Sequence, residues 1–231
     1  MQAPSILPTT PTTTISPSEQ AQGIVLRDFS WNSFLKLLRL FRERRDPRPI
    51  YLAGDLYLVS PYRYDHEQLA ERINLFFMTI LLELATPCRA MGQTTFLHGA
   101  KRVGIQGDKT YYIGNIEAVQ GKGMIDLTVD PPPDLAIEVV MTHPADEAVK
   151  TWRKLGVAEI WVASRSEFRI LVRREDGKYT KSSTSRVFPF LTAVEIQAIT
   201  NQPTQFDDTQ WLLGLRNWVR EVLIPRLQQG A

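Results

Sequence analysis

The stretch DPPPDLAIEVV, residues 130–140, decides the fold of this chain. Its last seven residues follow three prolines and are typical of a buried strand, whose side chains alternate between two faces. Glu138 therefore shares one face with Asp134 and Ala136. A carboxylate in the middle of such an apolar strand is costly unless a charged group pairs with it. Glu138 consequently requires a partner, either a basic side chain or a metal ion.

Asp134 lies on the correct face but too far along the strand to share an ion with Glu138. Four strand residues rise about 13 Å at roughly 3.3 Å each, whereas the oxygen ligands of Mg²⁺ lie about 2.1 Å from the ion. We expect Asp134 to open the strand and to organise the turn before it. A second ligand must come from a different strand.

Asp108 is the candidate second ligand, because it follows Gly107 at the start of a strand predicted over residues 109–113. An adjacent strand, parallel or antiparallel, would bring its carboxylate close to Glu138. Two carboxylates that hold a hard cation, which activates a water molecule against a phosphodiester, suit phosphoryl-transfer chemistry. The alternative is that Asp108 is an exposed aspartate in a loop.

The hydrophobic spacing predicts the elements around the DLAIEVV strand. A long buried helix begins at Asp65 or His66, because its apolar residues recur at helical spacing: Leu69, Ile73, Phe76, Phe77, Ile80 and Leu84. A strand at 94–97 precedes the strand at 109–113. A helix over 145–155, ended by Gly156, and a strand at 159–163 follow residue 140. The order is helix, three strands, helix, strand.

Further elements are predicted on both sides of this core. Ser30 caps a helix that begins at Trp31, and residues 50–59 form two short strands that turn at Gly54-Asp55. A hairpin turns at Asp176-Gly177, and a last helix is capped by Asp207 or Asp208. Residues 1–23, which are rich in Pro and Thr, are predicted to be a disordered lead-in. Residues 24–231 then form a single domain.

The composition limits the classes of function. The chain has 231 residues, a net charge of +2 and one cysteine, Cys88. One thiol excludes a disulfide framework and a cysteine zinc site, and it favours a reducing compartment, so we expect a cytoplasmic protein. No stretch has the ~18 uninterrupted apolar residues of a membrane span. The small net charge neither requires nor excludes nucleic acid.

Several phrases of the sequence, in order, resemble the Uma-type family of restriction-endonuclease-like proteins in the PD-(D/E)XK nuclease superfamily. They are GDLYLVSP (54–61), DHEQL (65–69), GQTTF (92–96), GDKTYYIGN (107–115), IDLTVDPPPDLAIEVV (125–140) and LGVAEIWV (155–162). The resemblance implies an α/β fold, with a restriction-endonuclease-like mixed-sheet core of order αβββαβ flanked by helices. The N-terminal helix and hairpin and the C-terminal hairpin and helix would be additions to that core.

The same resemblance implies a Mg²⁺- or Mn²⁺-dependent DNA endonuclease. Asp108 and Glu138 match the metal-binding carboxylates, although Gln106-Gly107 stands where the family prefers Glu-Pro. Glu67 matches an acidic position that supports the metal or its water, with a solvent-facing helix glutamate as the alternative. His66 recurs in the family phrase and is expected to cap or pack the helix. DNA is the implied partner, and such nucleases often pair as homodimers to cut both strands.

The chain departs from the superfamily pattern at its basic residue. The lysine expected two positions after the acidic residue is Val140, and the position to which it migrates in some relatives is Ala148. Lys150 lies about 200° round the helix from Ala148 and points elsewhere. Lys101, Arg102 or Lys109 could supply the charge instead, and His143, where the family has a Ser-Pro-Ser-like turn, could handle a proton.

These departures leave other functions open beside the nuclease. One is a catalytically inactive protein that keeps the nuclease fold and binds DNA or a protein partner. Another is a structural or interaction protein unrelated to nucleases, which would be favoured if Asp108 and Glu138 lay far apart.

Overall fold

A computed structural model describes residues 23–41, 47–59, 64–141, 145–202 and 207–229 of the chain. Most of the predicted lead-in and His143 lie outside these residues. The strands of the described part are, in chain order, β1 (Ile24–Leu26), β2 (Arg48–Leu52), β3 (Asp55–Val59), β4 (Arg89–Ala90), β5 (Thr95–His98), β6 (Val103–Gln106), β7 (Lys109–Tyr112), β8 (Leu135–Val139), β9 (Glu159–Ala163), β10 (Phe168–Arg173) and β11 (Tyr179–Ser182).

The helices lie between groups of these strands and after the last one. They are α1 (Trp31–Leu40), α2 (Tyr64–Glu83), α3 (Ile116–Val119), α4 (Asp146–Leu155), α5 (Ala193–Thr200), α6 (Asp208–Trp218) and α7 (Ile224–Gln229). A π-helical turn, Val219–Leu223, joins α6 to α7. Within the described ranges, no helix is long and apolar enough to cross a membrane.

The strands form two sheets. The first has the order β1-β3-β2-β6-β5 and is antiparallel throughout. The second has the order β11-β10-β9-β8-β7-β4, and it is mixed because β8 and β9 run parallel while its other pairs are antiparallel. The parallel pair is connected through α4, as a parallel connection requires a crossover.

Three apolar clusters hold these layers together. Helix α2 packs with α5 and α6 on one face of the second sheet. Helix α4 lies between the other face of that sheet and the inner face of the first sheet. Helix α1 covers the outer face of the first sheet through Phe34, which packs on Tyr51 and Leu56. The alternation along β8 explains this layering, since Ile137 faces α2 and Ala136 faces α4.

Four of the turn and cap signals in the sequence are confirmed. The Ser30 side chain accepts a hydrogen bond from Ser33 N, and Asp207 does the same for Gln210 N. Gly156 ends α4 with a φ of +94°, and Gly177 turns the β10–β11 hairpin with a φ of +78°. Glycine suits both positions because it has no Cβ to clash at positive φ.

Two predictions of local structure need correction. The turn in residues 50–59 is centred on Ala53 and Gly54, both at positive φ, and Asp55 already belongs to β3. The strand predicted at 94–97 does form, as β5, but it pairs with β6 in the first sheet and not with the strands of the second sheet. The sequence reasoning missed β6, because Gly104 and the glycines on either side of it indicated a loop.

The mixed α/β architecture that the sequence predicted is confirmed. An N-terminal helix and hairpin precede α2, and a C-terminal hairpin extends the second sheet before the last helices. Glu138 lies near the end of β8, where α2, α4 and the first sheet all approach the second sheet.

Candidate functional site

Asp108 lies where the chain crosses from one sheet to the other. Gly107 and Asp108 connect β6 of the first sheet to β7 of the second. The Asp108 side chain is only 2% exposed, so the alternative of an exposed loop aspartate is wrong. Its Oδ2 accepts a hydrogen bond of 2.8 Å from Val139 N, the residue that follows Glu138.

Glu138 lies beside Asp108 because β7 and β8 are adjacent antiparallel strands. Lys109 is the register partner of Ile137, so Asp108, one residue earlier, lies level with Glu138. The Glu138 side chain is buried, and its Oε1 accepts a hydrogen bond of 2.6 Å from Trp152 Nε1 on α4. Burial raises the pKa of Glu138 to about 7, against the opposing effects of Arg48 and Trp152. The two predicted residues therefore lie level with each other on neighbouring strands, and both side chains are buried.

Gly107 allows the Trp152 indole and the Glu138 carboxylate to lie close to the backbone that leads into Asp108. A Cβ at Gly107 would lie 2.6 Å from Trp152 Cζ2 and 3.1 Å from Glu138 Oε1. The first distance is shorter than a carbon–carbon contact permits, so any side chain would push the indole away from the carboxylate. Glycine is required here by space, since the position needs no positive φ.

Arg48 supplies a positive charge that sequence reasoning missed. It begins β2, and alternation places it on the same strand face as Ile50 and Leu52, towards the second sheet. Its guanidinium forms an ion pair with Asp108, and the two side chains are 7% and 2% exposed. Its charge also partly opposes the rise in the pKa of Glu138, and it adds to the lowering of the pKa of His66. The signal was available, because a charge on the inner face of an apolar strand requires a partner, as at Glu138.

Two of the basic residues proposed from the sequence have other partners, and the third is exposed. Lys101 Nζ donates a hydrogen bond of 3.0 Å to Lys154 O at the end of α4. Lys109 Nζ pairs with Glu71 of α2 at 2.8 Å. Arg102 is exposed, in the turn that precedes β6. Among the residues that the structure describes, Arg48 is the cation whose guanidinium contacts Asp108.

His66 connects Glu67 to the buried site. The His66 ring is buried, with Nε2 3.1 Å from Val139 O and 3.4 Å from Asp108 Oδ2. Its Nδ1 lies 2.9 Å from Glu67 Oε1, and the Glu67 side chain is 55% exposed. Burial and then the charge of Arg48 lower the His66 pKa. A neutral ring donates through one nitrogen, so it donates either to the site or to Glu67, and only imidazolium donates to both.

The remaining predicted residues lie as expected. Asp134 accepts hydrogen bonds from Ile113 N, Asn115 N and Asn115 Nδ2 at 2.7–3.1 Å, so it organises the turn before β8. Ala148 is buried against Trp152 and its neighbours. Lys150 is exposed and lies 3.6 Å from Glu147, so it points away from the Ala148 face of α4.

The two carboxylates of this site are oxygen donors of the kind that a small divalent cation takes. The described residues contain no group of three or more His, Cys, Asp or Glu side chains that could form an all-protein cage. Mg²⁺ in phosphoryl-transfer sites does not need such a cage, because one or two carboxylates, waters and the substrate phosphate complete its shell. Asp108 and Glu138 are two such carboxylates, and together they outnumber the single Arg48 guanidinium beside them when Glu138 is ionised.

The comparison with solved structures shows the same fold in another protein. A crystal structure of a putative nuclease belonging to DUF820, from Anabaena variabilis ATCC 29413, superposes with a TM-score of 0.52 at 13% sequence identity. The superposition covers 80% of this chain and 99% of that chain. No curated protein matches the sequence.

The family comparison covers most of the chain. Residues 31–201 match the model of the Uma2 family, whose description is putative restriction endonuclease. The matched segment contains the four residues that meet at the site, Arg48, His66, Asp108 and Glu138. The resemblance inferred from the sequence is thus confirmed, and the chain belongs to the Uma2 family of restriction-endonuclease-like proteins.

Proposed function

We propose that this protein is a divalent-metal-dependent DNA endonuclease that hydrolyses phosphodiester bonds. The observation that carries the proposal is that Asp108, just before β7, and Glu138, in the adjacent strand β8, lie level with each other and are both buried. Two buried carboxylates carry one negative charge more than the Arg48 guanidinium beside them can neutralise when both are ionised, and a divalent cation would supply the missing positive charge. The nuclease-like fold and the family match support the same conclusion.

Asp108 and Glu138 would hold Mg²⁺ or Mn²⁺ in this function. When bound, the ion supplies Lewis-acid polarisation of the phosphodiester and lowers the pKa of a water molecule. Glu138 is a good ligand only when ionised, and burial raises its pKa to about 7, so protons would compete with the ion at neutral pH and below. Trp152 fixes the orientation of this carboxylate through its hydrogen bond to Oε1.

Arg48 and Glu67 would each assist the reaction at the two metal-binding carboxylates. Arg48 provides the positive charge that Val140 and Ala148 do not, and a guanidinium can contact two phosphate oxygens at once. It would therefore stabilise the negative charge that develops on the phosphoryl oxygens. Glu67 contacts His66, which in turn contacts Asp108 and Val139 O, so Glu67 would act on the site through the His66 ring.

The second candidate function is a nuclease fold without catalysis that binds DNA or a protein. It is favoured by the ion pair in which Arg48 already neutralises Asp108, and by the apolar residue at the motif lysine position, Val140. In this function Arg48 replaces the metal ion permanently. Both candidates are compatible with a cytoplasmic protein, and a homodimer would suit a nuclease that cuts both strands.

Cleavage of supercoiled plasmid DNA tests the first function against the second. Wild-type protein, Glu138→Gln and the exposed-lysine control Lys150→Gln are incubated with plasmids of varied sequence in Mg²⁺ or Mn²⁺. We expect the wild type and Lys150→Gln to cut equally, and Glu138→Gln to lose activity by on the order of 100-fold or more. No cutting of any plasmid, or equal cutting by Glu138→Gln, would contradict the nuclease function. DNA retention by an inactive wild type would then support the binding module.

A further inference from the structure

Arg48 and a divalent cation compete for the same carboxylate. We infer that Arg48 is an internal counter-cation, which neutralises Asp108 in the resting protein and which a divalent ion must displace before it can bind. This inference rests on the proposed metal function of Asp108 and Glu138, and it adds a control on that site by a residue of the chain itself.

The burial of the Arg48–Asp108 pair is the first support. Solvent reaches only 7% and 2% of the two side chains, so little water is available to screen their attraction. Both Asp108 oxygens are engaged, Oδ1 by Arg48 and Oδ2 by Val139 N. An incoming ion therefore meets an existing partner at either oxygen, and it is repelled by the positive charge of Arg48 but not by the neutral Val139 amide. The Val139 amide belongs to β8, whereas Arg48 is a long side chain that can rotate.

The position of Arg48 is the second support. It begins β2 in the first sheet, while Asp108 and Glu138 belong to the crossing segment and to β8. The guanidinium thus approaches from the α4 side, on which Glu138 also lies, and its charge acts on Glu138 as well as on Asp108. His66 contacts Asp108 from the α2 side. A guanidinium and a divalent ion on one buried carboxylate would repel each other strongly.

The expected consequence is that removing the positive charge tightens metal binding. Binding of Mn²⁺ alone is measured by calorimetry on the full chain without DNA, at constant ionic strength and pH 8. Arg48→Gln keeps an N–H donor for Asp108 and loses the charge. Arg174→Gln is the control, because it makes the same change of charge in the exposed β10–β11 turn, where Arg174 pairs with Asp176.

We expect Arg48→Gln to bind Mn²⁺ at least about tenfold more tightly than the wild type, and Arg174→Gln to match the wild type. Equal or weaker binding by a folded Arg48→Gln overturns the inference, as does equal tightening by Arg174→Gln. Detectable binding by Arg48→Gln alone supports it, and binding by none of the proteins overturns it.

A measurement on the wild type covers the case in which Arg48→Gln does not fold. The side-chain Nε–Hε NMR signal of Arg48 is followed during a Mg²⁺ titration, and we expect it to shift with the midpoint of metal binding. A signal that is unchanged through the titration overturns the inference. Neither experiment contains DNA, so a protein that cuts no plasmid but gains Mn²⁺ affinity in Arg48→Gln would contradict the endonuclease and keep the counter-cation.

Discussion

Trp152 Nε1 of α4 donates a hydrogen bond of 2.6 Å to Glu138 Oε1 of β8, and both side chains are buried. The indole therefore fills the space between the two sheets and also fixes the carboxylate. The two roles can be separated by substitution. Trp152→Ala should lower the free energy of unfolding by roughly 3–5 kcal/mol. Trp152→Phe keeps most of the ring packing and loses the donor, so it should cost about 1–3 kcal/mol.

Urea unfolding of the two variants measures this difference. A loss of only a few tenths of a kcal/mol in Trp152→Ala would mean that α4 does not dock through this ring. Equal losses in both variants would mean that the hydrogen bond, and not the packing, dominates.

Gly107→Ala should also disturb the hydrogen bond between Trp152 and Glu138, because the added methyl would displace the indole. The added methyl would lie 2.6 Å from Trp152 Cζ2, so we expect destabilisation of roughly 1–3 kcal/mol through overpacking. Gly123→Ala is a matched control, since a Cβ there meets nothing within 4 Å and its φ is not positive. The control should change stability by less than about 0.5 kcal/mol. Thermal unfolding that ranks the two variants equally would be inconsistent with the packing at Gly107.

Glu138 should make the stability of the protein depend on pH. Burial raises its pKa from 4.5 to about 7, so between these values the folded state binds more protons than the unfolded state. The contribution of Glu138 to the free energy of unfolding is fully present below pH 4.5 and is lost as the pH rises through about 7. Its size is up to about 3 kcal/mol. Relative to Glu138→Gln, the wild type should therefore lose stability between pH 5 and pH 8.

Urea unfolding of the two proteins at each pH checks this dependence. Metal-free buffers are needed, because a bound cation would stabilise the ionised carboxylate. Parallel pH dependences of the wild type and Glu138→Gln would show that Glu138 keeps an ordinary pKa in the folded state.

Asp134 should stabilise the fold and should not contribute to metal binding. Its carboxylate accepts hydrogen bonds from two backbone amides and one side-chain amide, all in the turn at residues 113–115. Asp134→Ala leaves these partly buried donors without their acceptor, at a cost of roughly 1–3 kcal/mol. Its Mn²⁺ affinity should equal that of the wild type. A folded Asp134→Ala protein with weakened Mn²⁺ binding would show that the ion uses a different carboxylate.

Sequence reasoning found Glu138 because burial of charge is visible in a strand pattern, whereas Asp108 was preferred over a loop aspartate through the family resemblance. Glu138 interrupts an apolar strand and Asp108 follows a glycine at a strand start, and the structure places the two residues level with each other, with both side chains buried. Arg48 was missed although it obeys the same rule, because β2 was expected to begin at residue 50. Because the predicted strand began two residues late, Arg48 was not assigned to the strand face that points towards Asp108.

The two-sheet arrangement was less accessible from the sequence. Local patterns predict strands but not which strands pair, and Gly104 made β6 look like a loop. That glycine is instead required by packing, since a Cβ there would lie 2.6 Å from Leu97 Cδ2 and 3.0 Å from Phe34 Cε1. The contact with Phe34 joins parts of the chain that are 70 residues apart, so no local pattern reports it.

The most direct test is an anomalous difference map from a crystal of the wild type soaked in Mn²⁺ near pH 8. We predict one peak at ordinary Mn²⁺ ligand distance, about 2.2 Å, from an oxygen of Asp108 and from an oxygen of Glu138, with the Arg48 guanidinium moved off Asp108. No peak between these carboxylates at high Mn²⁺, with Arg48 still paired to Asp108, would contradict the metal site.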